Sequence, residues 1–100
     1  SSGAQPTAVL CGNDVLAVGA LREAQARGLR IPEDISITGF DDMEIARIVQ
    51  PALTTVEVPH RQMGQQAART LIGMLEDTGQ TASVKLGTKI IQRASLGPAP

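Results

Sequence analysis

The sequence predicts an α/β fold in which helices flank a largely parallel sheet. Along its 100 residues, short apolar or β-branched runs alternate with helical patterns, which is typical of parallel sheets with helical crossovers. The chain also contains no internal repeat and no polar linker long enough to separate two domains. We therefore expect the order strand, helix, strand, short helix, strand, helix, strand.

The first strand and helix follow from residues 7–28. The run "TAVLC" at 7–11 is short, apolar and closely followed by a turn, as expected for a strand covered on both faces. Asn13 and Asp14 can both cap a following helix, and Gly28 is a residue type favoured just past a helix end.

The first half of this helix, "VLAVGAL" at 15–21, is apolar nearly all round. A helix that covers one sheet needs an apolar stripe of only about 100°. We therefore expect Val18 and Leu21 to leave a second apolar face for a partner outside this unit.

The later elements are predicted from periodicity and from Pro and Gly positions. They are a strand in "ISITGF" at 35–40, a short helix at 43–49, a strand or extended connector at 53–58, a helix at 60–76, and a last strand that includes Val84, Leu86 and Ile90 with a bend at Gly87. The helix at 60–76 carries an apolar stripe that we expect to lie in a core. Its members are Met63, Ala67, Leu71, Met74 and Leu75.

Composition excludes several classes of function. The formal net charge is −1 and the nine Lys and Arg residues are scattered, so the chain lacks the basic surface expected for binding nucleic acid or anionic lipid. Cys11 is the single cysteine, which excludes an internal disulfide, and we expect it to be a packing residue. No apolar stretch approaches the ~18 residues of a membrane span, and the first residues lack the features of a secretory signal. A cytoplasmic protein is expected.

Polar side chains follow the first two predicted strands. "GND" places Asn13 and Asp14 after the first strand, and "GFDD" places Asp41 and Asp42 after the second. Because ligands of open parallel sheets bind at the carboxyl ends of the strands, these side chains are expected at one rim. An amide with two carboxylates suits a polyhydroxylated or amide-bearing small molecule.

The same residues have a structural interpretation. Asn and Asp are ordinary N-cap residues, and we interpret Asp14 and Asp42, each nearer its following helix, as capping or turn residues. Asn13 and Asp41 lie closer to the strands and are better placed to face a crevice. For these two, the spacing leaves ligand contact and local structure equally open.

Catalytic and metal sites have weaker support. Asp41, Asp42 and Glu44 form the carboxylate cluster that a Mg²⁺-dependent phosphoryl-transfer domain would use, but the further acidic residue and lysine are not evident. His60 precedes a helix and has no Ser or Cys motif near it, which favours a surface role. We predict no catalytic residue, no metal site and no cofactor.

Several motifs in order carry a family resemblance. "GNDVLAVGALREAQARGLRIPEDISITGFDD", "PALTTVEVP" and "MGQQAARTLIGML" resemble the C-terminal part of the effector-binding region of LacI/GalR family transcriptional repressors, and the match covers residues 6–75. The resemblance implies a fragment of a periplasmic-binding-protein-like (type I) fold with two α/β lobes. It assigns 7–56 and 82–95 of the 1–100 chain mainly to the C-terminal lobe, and 57–78 to a helix of the other lobe.

The resemblance also implies a function without catalysis. A sugar, nucleobase or similar small effector would bind in the interlobe cleft, with contacts at the positions of Asn13 and Asp41 and a pocket position at His60. Operator DNA would be bound only through an N-terminal domain absent from this chain. The family forms homodimers through helices that match 14–27 and 44–50. The contributing residues would be Val18, Leu21, Arg22, Ile48 and Val49.

Two alternatives remain beside a LacI-type regulator. A periplasmic sugar-binding protein of a transporter shares the fold, although the motifs "IPEDISITGFDD" and "PALTTVEVP" favour the repressor. From a different class, a Mg²⁺-dependent phosphoryl-transfer domain would use Asp41 and Asp42.

Overall fold

The computed structural model describes residues 6–76 and 86–100. Its elements are β1 (Ala8–Leu10), α1 (Asp14–Ala26), β2 (Ser36–Thr38), α2 (Ile45–Ile48), β3 (Thr55–Glu57), α3 (His60–Leu75) and β4 (Lys89–Ile91). This is the predicted order, and the α/β class is confirmed. Each strand has three residues and is shorter than the run that predicted it, because only part of each run pairs in a ladder. Val84 lies outside the described residues.

The chain divides into two compact units. The described part of the first consists of residues 6–57 and 89–100, and that of the second consists of 58–76 and 86–88. The first unit therefore contains the four described strands together with α1 and α2, and the second contains α3.

The strands of the first unit are parallel up to the last one. β1 pairs with β2 in parallel, with Val9 opposite Ile37. A parallel bridge between Thr38 and Thr54 continues the pairing toward β3. β4 then pairs antiparallel with β3, with Val56 opposite Ile90. The sheet is largely parallel, as predicted.

The core of the first unit lies between the sheet and its two helices. Its buried apolar residues are Ala17, Leu21, Ile31, Ile37, Ala46 and Leu53. Cys11 is half-buried and packs against this cluster, as expected of a packing residue. Burial raises the pKa of the Cys11 thiol above its ordinary value.

The expected second apolar face of α1 is not where the sequence placed it. Val18 is 7% exposed and Leu21 is 1% exposed, so the interpretation of these two side chains as an open face is wrong. The physical reason is that α1 contacts both β2 and α2, and therefore buries a wider apolar arc than a helix that covers a sheet alone. Val15 and Leu16 are instead the exposed large apolar residues of α1.

The apolar stripe of α3 is exposed, which corrects its assignment to a core. None of the described residues of α3 is buried, and Met63, Leu71 and Met74 are each about half exposed. Apart from α3, the described part of the second unit consists of Val58, Pro59, Glu76 and residues 86–88, which provide no second helix or strand against which the stripe could pack. None of the described helices has the length and apolar character needed to cross a membrane.

The segment after β4 forms hydrogen bonds with two parts of the sheet in the first unit. Ser95 is fully buried. Its N–H donates to Ala52 O at 3.0 Å, and its Oγ accepts from Thr54 N at 2.9 Å. Ile37 N donates to Ser95 O at 3.0 Å. Ser95 therefore joins β2 to the residues that lead into β3.

Candidate functional site

The segments that follow β1 and β2 meet at one edge of the sheet. Asp14 N donates to Phe40 O at 3.1 Å, and Met43 N donates to Asp14 Oδ2 at 2.6 Å. These bonds join residues 13–14 to residues 40–43, and we call the two segments together the rim. The rim contains the four polar residues predicted to meet at this edge: Asn13, Asp14, Asp41 and Asp42.

Asn13 is the N-cap of α1. Its backbone is extended, and its Oδ1 accepts from Leu16 N at 2.8 Å, which satisfies one of the free N–H groups of the first turn. Asn13 is half-buried, and its carboxamide nitrogen donates to no protein group within 6–76 and 86–100. Two donors of Asn13 are thus available at the rim, and its contact with a ligand stays a prediction.

Asp14 has a structural role that differs from the predicted cap. Its side chain is 0% exposed. Thr55 Oγ1 donates to Asp14 Oδ1 at 2.7 Å, while Oδ2 accepts from Met43 N. The interpretation as a cap is therefore wrong: Asp14 joins the start of α1 to Met43 and to β3. The sequence gives no signal for this role, since Met43 and Thr55 lie 29 and 41 positions away.

The backbone of Asp41 and Asp42 has an unusual conformation. Their φ angles are 103° and 52°. Residues other than glycine rarely adopt such positive φ values. Two hydrogen bonds hold this conformation: Asp41 N donates to Val56 O at 2.9 Å, and Asp42 N donates to Thr55 Oγ1 at 3.2 Å. Asp41 is half-buried at the rim, and its predicted role as an effector contact stays a prediction.

The side chain of Asp42 forms the central ion pair of this edge. It is 6% exposed, and its Oδ1 accepts from Arg93 Nη2 at 2.8 Å while its Oδ2 accepts from Arg47 Nη2 at 3.3 Å. Arg93 also donates to Leu53 O at 2.9 Å and is 16% exposed, whereas Arg47 is 66% exposed. The turn role expected of Asp42 is thus accompanied by a long-range pair that the sequence analysis missed, since Arg93 lies 51 positions away.

The pKa of the Asp42 carboxyl is lowered. Burial pushes this pKa upward, but the hydrogen bonds and charges of Arg93 and Arg47 outweigh burial and hold it below its usual value of 3.8. A carboxyl whose pKa is lower in the folded protein contributes stability that is present above the unfolded pKa and lost as pH falls through the folded pKa.

We therefore expect the protein to lose stability as pH falls below about 4, the ordinary carboxyl pKa. Asp42→Asn should be less stable than wild type at pH 7 and should show a flatter stability profile below pH 4. Urea unfolding at a series of pH values, followed by circular dichroism, measures both. Parallel profiles for the two proteins across the acid range would contradict the contribution of Asp42.

The remaining predicted residues are distributed over both units. His60 begins α3 in the second unit and is exposed. Arg22 is exposed, Ile48 is 68% exposed, and Val49 is half-buried against the core. Arg22 and Ile48 are thus accessible for a dimer contact, and the dimer role of the whole set stays a prediction.

The acidic residues of the rim are poorly placed to hold Mg²⁺. In the part of the chain that the structure describes, no three His, Cys, Asp or Glu side chains come together as a metal site. Both oxygens of Asp42 face arginine donors, and both oxygens of Asp14 accept from Thr55 and Met43. These donors occupy the oxygens that a cation would need.

Known proteins with similar sequences and known proteins with similar structures both include transcriptional regulators. The profile of the periplasmic binding protein-like domain family matches residues 1–96. The HTH-type transcriptional repressor PurR of Proteus mirabilis is 40% identical over 97 residues, which cover 96% of this chain and 28% of that protein. PurR of Salmonella typhi is 36% identical and is matched by 100% of this chain over 30% of its own length. The chain thus spans less than a third of these relatives.

Solved structures of regulators superpose on the chain. A sugar-binding transcriptional regulator of the LacI family from Escherichia coli, complexed with phosphate, is 40% identical with a TM-score of 0.81, over 98% of this chain and 35% of that one. The lac repressor dimer bound to operator and the anti-inducer ONPF is 33% identical with a TM-score of 0.84, over 93% and 32%. A complex of the transcriptional regulator CelR with cellobiose is 33% identical with a TM-score of 0.81, over 91% and 28%.

Proposed function

The chain belongs to the periplasmic binding protein-like domain family, and on this premise we propose that it is the effector-sensing and dimerising part of a LacI-type transcriptional regulator. The resemblance to LacI/GalR repressors is confirmed by the relatives. The proposed regulator is cytoplasmic and not an enzyme. It binds operator DNA through a separate domain, and its effector is an uncharged sugar or nucleobase.

One observation carries the proposed binding site. The hydrogen bonds of Asp14 with Phe40 and Met43 join the two strand-end segments, so that Asn13 and Asp41 belong to the same rim. The amide donors of Asn13 and the carboxylate of Asp41 supply both kinds of hydrogen-bonding group that a hydroxyl or an amide needs. We also propose His60 as an effector contact, and residues 57–78 as part of the other lobe of the intact family fold.

The alternatives have less support. A transporter's sugar-binding protein would have the same fold, but the relatives of this chain are named as repressors and LacI-family regulators. A phosphoryl-transfer domain would need open oxygens at the rim, and those of Asp42 and Asp14 already accept protein hydrogen bonds.

We propose that α1 and α2 form the dimer contact. Arg22 and Ile48 are exposed on these helices, while Val18 and Leu21 are buried and Val49 is half-buried. Arginine is enriched at protein interfaces, and an exposed Ile adds apolar area that a partner would bury. Sedimentation of the full-length protein that carries this chain should show a dimer, and a monomer throughout the micromolar range would contradict this part of the proposal.

Replacing Asp41 tests the effector site. We expect Asp41→Ala in the full-length protein to weaken effector binding by about 30-fold or more, because a hydrogen bond to a charged acceptor contributes ~2 kcal/mol or more when its partner is left unpaired. Operator binding in the absence of effector should be unchanged. Calorimetric titration with a panel of mono- and disaccharides and purines measures effector affinity. Fluorescence anisotropy with selected operator DNA measures operator affinity.

Glu44→Ala is the matched control. It removes the same charge three positions away, from an exposed residue that makes no side-chain capping bond to α2. This variant should retain wild-type effector affinity. Equal affinities in Asp41→Ala and wild type would contradict the site, and binding of Mg²⁺ with no organic ligand would favour the enzyme alternative.

A further inference from the structure

We infer that Asp42 and Arg93 are positioning residues for Asp41: their largely buried ion pair holds the rim in the backbone conformation that presents Asp41 to an effector. This inference rests on the proposed function. It assigns a role in effector affinity to Arg93, which lies after β4 and far from the rim in sequence.

The backbone of the rim would not hold its conformation unaided. Asp41 and Asp42 are consecutive residues with positive φ, and a side chain in this region is sterically disfavoured. Such a conformation persists only where the surroundings over-determine it, and it occurs most often at binding sites. Asp41 has the more extreme angle, 103°, which is beyond the usual left-handed helical value.

The surroundings of Asp42 supply that constraint from two directions. Its N–H donates to Thr55 Oγ1, and its nearly buried carboxylate accepts from Arg93 and Arg47. A residue anchored at both its backbone and its side chain has a fixed φ, and therefore fixes the peptide that links it to Asp41. Because protein donors engage the carboxylate of Asp42, this anchor does not depend on a ligand.

Arg93 is the stronger of the two arginine partners. Its Nη2 lies 2.8 Å from Asp42 Oδ1, and its Nη1 donates to Leu53 O at 2.9 Å, with the side chain 16% exposed. Arg47 donates at 3.3 Å and is 66% exposed. A fork that bonds two fixed acceptors while shielded from water orients more strongly than an exposed single contact.

Effector affinity of the full-length protein tests this inference. We expect Arg93→Met to lower the affinity for the best-binding sugar or purine of the panel by about 10- to 100-fold, as when the outer partners of a metal site are removed. Arg93→Lys should recover part of the loss, since one charged donor returns. Arg27→Met, the same change at a surface arginine that pairs with Glu23, should leave affinity unchanged.

A double-mutant cycle separates positioning from general destabilisation. The affinities are measured well below the melting temperature of each variant, with folding checked by circular dichroism. In the Asp41→Asn background, Arg93→Met should reduce affinity by less than about twofold, because the group that it positions is already altered. Wild-type affinity in Arg93→Met, or a full additive loss in the double variant, would overturn the inference.

The failure of the proposed function would look different. If the wild-type protein binds no sugar or purine, or if Asp41→Asn binds as wild type does, the effector site itself is wrong and the positioning role falls with it. If wild type binds and Asp41→Asn is impaired while Arg93→Met is not, the inference about Arg93 alone is wrong.

Discussion

Gly39→Ala is expected to destabilise the first unit by about 3 kcal/mol, toward the upper end of the cost of overfilling a packed core. A Cβ at Gly39 would overlap Asp14 Oδ1 and would lie 2.9 Å from Leu53 Cδ2. Neither neighbour can move away easily, because Asp14 and Leu53 are both 0% exposed. Urea denaturation of the full-length variant and of wild type measures this decrease in the free energy of unfolding.

The matched control is Gly19→Ala in α1. A Cβ at Gly19 meets no atom within 4 Å, and alanine is favoured over glycine in a helix interior by about 0.8–1 kcal/mol. The same chemical change should therefore stabilise the protein at Gly19 and destabilise it at Gly39. Similar melting behaviour of the two variants would show that contact with Asp14 and Leu53 does not limit position 39.

The effect of Gly39→Ala should reach the binding site. To accommodate the new methyl group, Asp14 must shift, and its bonds with Met43 and Phe40 shift with it. We therefore expect effector affinity to fall even in the fraction of molecules that remains folded. In Gly19→Ala the rim is untouched, and affinity should equal that of wild type.

The sequence predicted the fold well because local signals and global architecture agree in this chain. Alternation of element types is a property of neighbouring residues, as are the cap at Asn13 and the breaks at Gly28 and Pro51. The convergence of "GND" and "GFDD" could be predicted because parallel strands end on the same edge of a sheet. That rule uses direction alone and needs no knowledge of side-chain contacts.

Side-chain roles at the rim could not be predicted in the same way. Asp14 and Asp42 differ from Asn13 and Asp41 by one position in each motif, and spacing does not specify which side chain turns inward. The deciding partners, Thr55 and Arg93, are brought close only by the complete sheet. The periodicity of the sequence does not predict that Asp14 pairs with Thr55 or that Asp42 pairs with Arg93.

Burial of helices could be predicted only within their own unit. The periodicity of α1 showed many apolar positions, but not that α1 contacts α2 as well as β2 and that Val18 and Leu21 are both buried. The stripe of α3 showed a face able to pack, while the described part of its unit offers no layer for it. Amphipathic pattern therefore reports the capacity of a face to be buried, and the partner has to be found in three dimensions.

Asp14→Asn is expected to cost about 3 kcal/mol of folding free energy, although it changes no volume. The two carboxylate oxygens of Asp14 accept from Met43 N and from Thr55 Oγ1. An asparagine offers one acceptor oxygen, so only one of the two donors keeps its acceptor. The NH₂ group then faces either the N–H of Met43, which can only donate, or the Thr55 hydroxyl, whose own hydrogen loses its acceptor. An unsatisfied buried group costs about 1–3 kcal/mol, and more where the lost partner was charged. Urea unfolding of the full-length protein measures the loss.

Two further variants decide whether the hydrogen bonds of Asp14 cause this loss. Asp34→Asn makes the same change at a partly exposed surface pair with Arg30, and such pairs contribute about 0–1 kcal/mol, so its stability should stay near wild type. Thr55→Val removes the hydroxyl that donates to Asp14 and accepts from Asp42 N. Combined with Asp14→Asn it should cost less than the sum of the two single losses, because both changes break the same bond. Strict additivity would show that Asp14 and Thr55 stabilise the protein independently, and that the bond between them is not what joins α1 to β3.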